Sequence, residues 1–195
     1  MNDWELIYKE DGFRNKNEYP SEDVVSYVMR NYGNLFNKEE ISILEIGSGW
    51  GNNLTFFKDK GFSYVGVDIS QTAVDAAKKK GVNAKVFDLF NDDMKKLGDF
   101  DYITMFEVLE HIPNAEEAML KIKDAFKSKT CFFSIPNTGS LYDRARLLIG
   151  RFPKQWVVHP SEHLRFWTLN DFKFALSYLD IELITPIAIH NRFSW

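Results

Sequence analysis

Five apolar runs of strand length, at about 41–46, 63–67, 83–87, 100–106 and 129–135, alternate with segments whose apolar residues recur at helical spacing. Parallel strands cannot be joined by a tight turn and need a crossover, usually a helix, so this alternation predicts an α/β protein with a mostly parallel sheet. One helix is expected from about Asn52 to Lys60, closed by Gly61. A second runs from a Ser70 N-cap to Lys80, closed by Gly81. Asn114 with Glu117 three residues on resembles a capping box and opens a helix with Ala118, Ile122, Ala125 and Phe126 on one face. Leu169 to Leu179 repeats the helical pattern, and near the start Pro20-Ser21 opens a helix striped by Val24, Val25, Val28, Met29 and Tyr32. The last apolar runs, Ile181–Thr185 and Ile187–Asn191, are read as an antiparallel pair at the sheet edge. A length of 195 residues suits one domain.

Behind the first apolar run stands Ile43-Leu-Glu-Ile-Gly-Ser-Gly-Trp-Gly-Asn52, with glycines at 47, 49 and 51. Strand, glycine turn and helix together bring a nucleotide close to the backbone, because glycine tolerates positive φ and has no Cβ in the way. A dinucleotide fingerprint wants its third glycine at position 52, which is Asn, and this disfavours a nicotinamide-dependent oxidoreductase. No Lys followed by Ser or Thr is present to make a P-loop. The second strand ends in Val65-Gly-Val-Asp68-Ile-Ser70, where a carboxylate can accept hydrogen bonds from both hydroxyls of a ribose. The third ends in Asp88-Leu89, so the features line up along the carboxyl ends of consecutive strands and define a crevice.

These segments, in this order and at this spacing, resemble the class I S-adenosylmethionine-dependent methyltransferases. The resemblance implies a Rossmann-like, doubly wound, seven-stranded sheet with helices on both faces and an antiparallel edge hairpin. It also implies S-adenosylmethionine as cofactor and S-adenosylhomocysteine as product. Gly47, Ser48, Gly49 and Gly51 would pass close to the methionine part of the cofactor, with Glu45 ordering that region. Asp68 would hold the ribose, Ile69 would pack on the adenine, and Asp88 with Leu89 would take the adenine edge. The structural alternative for each is plain: a glycine can close a turn, and a strand-end Asp can cap the next helix.

The fourth strand leads into Glu107-Val-Leu-Glu110-His111, and a helical turn there places all three polar residues on one side. In a structural role, Glu107 contacts the cofactor and His111 makes a local hydrogen bond. In one catalytic role His111 is a general base, with Glu110 beside it, accepting the proton of an attacking hydroxyl. In another the cluster holds a divalent cation that orients the acceptor and lowers its pKa. The segment, with the later His163-Leu-Arg-Phe-Trp-Thr168, is similar to metal-dependent small-RNA terminal 2′-O-methyltransferases and to ubiquinone-pathway O-methyltransferases. That resemblance implies Glu107, Glu110, His111 and His163 as ligands, yet many methyltransferases share the phrase without a metal.

From Asn137 to Thr168 an excursion carries Arg144, Arg146, Arg151, Lys154 and Arg165 against Asp143 and Glu162. A basic excess in a segment of this kind suggests an anionic acceptor clamped by an Arg fork, with Arg144, Trp156, His163 and Arg165 as candidate substrate contacts. The alternative for Arg144 and Arg146 is the solvated face of a helix. The segment from Ser134 to Pro153 also resembles MetW-like proteins, which offers a noncatalytic S-adenosylmethionine-binding partner protein as the second functional class. Residues 1–36 carry Trp4, Tyr8, Phe13 and Tyr19 and could fold over the cofactor as a lid or pack on the sheet edge.

The formal net charge of −4 gives no global attraction to nucleic acid or an anionic membrane, and no apolar run approaches a membrane span. Cys131 lies alone in an apolar run and is read as a buried, inert thiol. With Met1-Asn-Asp-Trp-Glu-Leu lacking the basic and apolar regions of a signal peptide, the expected setting is the cytoplasm. The expected activity is methyl transfer to a hydroxyl oxygen of a small anionic or sugar-like molecule, with neither nucleic acid nor membrane as partner.

Overall fold

The structure, a computed structural model, describes residues 40–127, 129–153 and 163–186. They divide into two compact units. The first takes the described residues up to Phe106 with Phe126–Phe133, and the second takes Glu107–Ala125 with the described residues from Ser134 onward.

The first unit is built on a sheet of five strands: β1 (Ser42–Ile46), β2 (Ser63–Asp68), β3 (Ala84–Val86), β4 (Tyr102–Phe106) and β5 (Thr130–Ser134). Their order is β3-β2-β1-β4-β5, and β1 runs parallel to both β2 and β4, as β2 does to β3. Every side chain of β4 is buried, as are all but the first of β1. A central parallel strand is covered on both faces, which is why these segments read as continuous apolar runs rather than alternating ones. Helices α1 (Asn52–Asp59) and α2 (Gln71–Lys79) make the crossovers. Ser70 caps α2 as expected, its Oγ accepting the Ala73 N–H at 3.2 Å. Because the chain winds outward from β1 through β2 to β3 and then returns to place β4 on the other side of β1, the carboxyl ends of β1 and β4 form the switch point where such sheets bind ligands.

Two glycines fit α1 and its loop against this sheet. Gly51 sits at φ 72°, and a Cβ there would lie 2.8 Å from Ala77 Cβ on α2. In β2, a Cβ on Gly66 would lie 2.3 Å from Leu54 Cδ1 and 2.8 Å from Ser48 Oγ, so the strand must be bare at that point for the glycine turn to lie on it.

In the second unit, α3 (Ala115–Ala125) buries Ala118, Met119 and Ile122. A further helix, α4 (Leu141–Leu148), lies within the excursion from Asn137 and is capped by Ser140 Oγ, which accepts the Asp143 N–H at 3.1 Å. α5 (Leu169–Tyr178) opens with a reciprocal capping box between Thr168 and Asp171.

The expected α/β architecture is present, but the seven-stranded sheet with an antiparallel edge hairpin is not what the described residues form. They contain five strands, and Ile181–Thr185 forms none. Glu182 through Pro186 are all exposed, so the run has no buried face, and Pro186 can neither donate to a ladder nor leave room for a two-residue turn between the two runs. The second run, Ile187–Asn191, lies outside the described residues, as do the expected first helix and the segment 1–36.

Candidate functional site

At the end of β1 the chain makes three left-handed steps, at Gly47, Gly49 and Gly51 (φ 73°, 50° and 72°). The backbone N–H groups of Gly47 and Ser48 donate to the Val67 carbonyl at 2.8 and 3.0 Å, which ties the turn to β2. One residue further, Asp68 Oδ2 accepts the Gly49 N–H at 2.8 Å while Oδ1 accepts the Ser70 N–H at 2.9 Å. Asp68 is thus buried and shared between the glycine turn and the start of α2. Asp88 is fixed locally: Oδ1 accepts the Phe90 and Asn91 N–H groups at 2.9 and 3.2 Å, and Oδ2 accepts Asn91 Nδ2 at 2.8 Å. Ile69 is exposed and Leu89 is buried.

Glu45, in the middle of this unit, is 2% exposed. Asn53 Nδ2 donates to its Oε1, whereas Glu45 Oε2, Asn53 Oδ1 and Ser48 Oγ are buried without a hydrogen-bond partner. Burial pushes the Glu45 carboxyl up to about 8; the Asn53 hydrogen bond works against this and the Asp68 charge adds to it. Three unsatisfied polar atoms beside the glycine turn are what a polar ligand would complete.

The second unit collects the other candidates. Glu107, directly after β4, has the left-handed φ of 54°, a strained conformation for a residue with a Cβ. Ser134 holds it there: the Glu107 N–H donates to Ser134 Oγ at 2.9 Å, and that hydroxyl donates to Glu107 Oε1 at 2.7 Å. A 3-10 turn, Leu109–His111, follows. Glu110 is 1% exposed, neither carboxyl oxygen has a hydrogen-bond partner, and His111 Nε2 lies 3.8 Å from Oε1. Burial and then the Glu107 charge hold the Glu110 carboxyl well above the usual carboxylate range. The Glu110 carbonyl accepts the N–H groups of Leu164 and Arg165 at 2.7 and 3.0 Å, and this pins His163 beside the turn. The His111 and His163 rings meet edge to face with centroids 4.8 Å apart. Glu110, His111 and His163 each offer a ligand atom, all within 4.8 Å of one another.

A family model for a methyltransferase domain matches residues 17–185. The chain belongs to the methyltransferase-domain family. Its membership bears out the resemblance to class I S-adenosylmethionine-dependent methyltransferases. Among curated proteins, this methyltransferase is 26% identical over 110 residues to the ubiquinone biosynthesis O-methyltransferase of Rickettsia bellii, covering 54% of this chain and 46% of that one. It thus spans less than half the length of the curated relatives it matches. Its fold is similar to a SAM-dependent methyltransferase from Archaeoglobus fulgidus (TM-score 0.59, 24% identity, 82% of this chain and 68% of that one). It is similar too to magnesium protoporphyrin IX methyltransferase from Synechocystis with bound SAH (TM-score 0.60, 18% identity, 81% and 70%). The plantazolicin methyltransferase in complex with SAH aligns with a TM-score of 0.59 at 22% identity, over 80% and 61% of the two chains.

The candidate residues of this methyltransferase fall into several groups. Glu45, Gly47, Ser48, Gly49, Gly51 and Asp68 come together around one turn, and Glu110, His111 and His163 form one cluster. Glu107 is engaged by Ser134 and does not join the three-ligand group. Arg165 pairs with Glu116 and Arg144 is exposed on α4; Trp156 lies outside the described residues. Asn53, Gly66 and Ser134 contact the candidate residues Glu45, Ser48 and Glu107, and none of the three stands out in the sequence. Only the positive-φ glycine turn one strand away could have flagged Gly66, and nothing local marks Ser134, whose partner is 27 residues distant.

Proposed function

We propose that this methyltransferase moves a methyl group from S-adenosylmethionine to a hydroxyl oxygen of a small acceptor, releasing S-adenosylhomocysteine. The turn from Gly47 to Gly51 with Asp68 serves the donor: the buried, unpartnered Glu45 Oε2 and Ser48 Oγ beside it fit the polar methionine end, and Asp68, which braces the turn at the end of β2, stands where a ribose would be held. The acceptor belongs to Glu110, His111 and His163, and their meeting within 4.8 Å is the observation that carries the assignment to oxygen. A hydroxyl is a poor nucleophile until its proton is removed, and this group is equipped to remove or weaken it. The activity for which the Rickettsia bellii relatives are named, an O-methylation in ubiquinone biosynthesis, supports the same choice.

Two ways of activating the hydroxyl fit the cluster. A carboxyl buried with both oxygens unpartnered, next to two imidazoles, favours a divalent cation held by Glu110, His111 and His163, which when bound would lower the acceptor's pKa. The 3.8 Å approach of His111 to Glu110 favours the other, in which neutral His111 takes the proton with Glu110 beside it. Turnover against pooled hydroxylated metabolites, followed by release of S-adenosylhomocysteine with and without chelator, tests both. Loss of activity on chelation, restored by added metal, supports the cation. Chelator-resistant turnover that disappears in His111→Ala supports the base. Turnover unchanged in Glu110→Gln, His111→Ala and His163→Ala alike would reject the cluster as the acceptor site.

A further inference from the structure

α4 presents an apolar ridge that neither role above employs. At about 100° per residue, Leu148, Leu141, Ala145, Ile149 and Tyr142 fall on one continuous arc of the helix. Leu148 is 88% exposed and Ile149 71%, and Leu141 and Tyr142 are each more than half exposed. Arg144 borders the arc on one side and Arg146 on the other. Asp143, the one acid between Asn137 and Pro153, lies on the opposite side of the helix, buried, and accepts the Ser140 hydroxyl at 2.8 Å. Past the end of the helix, Gly150 (φ 71°) turns the chain so that the Arg146 Nε donates to the Phe152 carbonyl at 2.9 Å. Phe152 and Phe166 pack edge to face, centroids 5.0 Å apart, and both remain exposed.

We propose that this ridge docks on an anionic lipid bilayer, with the apolar arc of α4 at the acyl boundary and Arg144, Arg146 and Arg151 among the headgroup phosphates. Side chains that project from a convex helix, bordered on both sides by cations and with the nearest acid turned inward, match an interface that is apolar below and anionic above. The chain's net charge of −4 opposes approach only weakly, because acids beyond a Debye length of about 8 Å are screened at physiological salt. The contact is superficial: no described helix is long and apolar enough to cross a membrane. One short helix and three arginines predict reversible, salt-sensitive attachment.

Flotation of the full chain with vesicles tests this. Phosphatidylcholine vesicles mixed with phosphatidylglycerol should carry the protein, phosphatidylcholine alone should not, and added salt should release it. Arg144→Gln and Arg151→Gln should each weaken partitioning about fivefold. Leu148→Glu with Ile149→Glu should abolish it without lowering the melting temperature, since both side chains are exposed. Failure of the unmodified chain to float with the mixed vesicles would overturn the proposal, as would flotation that survives the double Glu substitution. So would a concentration-dependent dimer in sedimentation that the same substitution dissolves, which would assign the ridge to a second copy.

Discussion

The Asp68 carboxylate accepts the backbone N–H of Gly49 at 2.8 Å, so the acid that ends β2 is a structural part of the glycine turn that ends β1. With its other oxygen on the Ser70 N–H, one side chain positions both the turn and the first residues of α2. Asp68→Asn keeps a single acceptor oxygen and turns an N–H₂ toward one of two backbone donors. The expected loss is about 1–3 kcal/mol of stability. Chemical denaturation and calorimetry with S-adenosylmethionine should show the melting shift and a weakened affinity in the same variant.

Gly51→Ala and Gly61→Ala separate two costs of a side chain. Both positions are left-handed, but an Ala Cβ at 51 meets Ala77 and Val82 at 2.8 and 3.0 Å, whereas at 61 it meets nothing within 4 Å. Gly61→Ala should cost about 1–2 kcal/mol from backbone conformation alone. Gly51→Ala adds overpacking of about 1–3 kcal/mol and should unfold at clearly lower denaturant.

Glu45 imposes a pH dependence of definite sign. Its carboxyl is pushed up to about 8 in the folded chain against 4.5 for an ordinary glutamate, so the folded state retains a proton that the unfolded state releases. The stabilising contribution is therefore complete below pH 4.5 and is lost as pH rises through 8. Urea melts of the ligand-free protein between these limits should show stability falling with pH, by at most about 1.4 kcal/mol per unit from this group. In Glu45→Gln that slope should flatten; an unchanged slope would place the titration elsewhere.

Cys131 is half-buried rather than fully buried, and the desolvation it does undergo pushes its thiol up to about 12. At pH 8 the thiolate fraction is then about one in ten thousand, far below that of a free cysteine. Labelling with a maleimide should be slow in buffer and rapid in denaturant. Fast labelling of the native chain would show an accessible, ordinary thiol.

Much of the donor side was legible because its parts are close in sequence and each has a conformational signature. Glycines that need positive φ follow an apolar run directly, and Ser70 caps α2 at the point where its spacing says it should. Asp68 was visible as a strand-end acid. Its partner was not, since Gly49 is 19 residues away and the contact exists only once β1 and β2 lie side by side in register, Ile46 beside Val67.

The acceptor side was less legible for the same reason. Glu110 and His111 adjoin in sequence, but His163 reaches them through two backbone hydrogen bonds to the Glu110 carbonyl that no side-chain pattern encodes. Arg165, a candidate clamp by its charge, is paired with Glu116 on α3, a partner 49 residues away. The edge hairpin failed because apolar runs report a capacity for burial, and burial is granted by neighbours: Leu183 and Ile184 remain exposed.

From its order of residues alone, then, this chain determined the alternation of strands and helices, the left-handed glycine turn and the acids at the strand ends, all properties set within a few residues by backbone sterics and local hydrogen bonding. Tertiary structure decided which acid braces the turn, which histidine joins Glu110, which arginine is neutralised and which apolar helix stays bare, because each depends on what another segment brings within about 3–4 Å, and only the folded chain sets those distances.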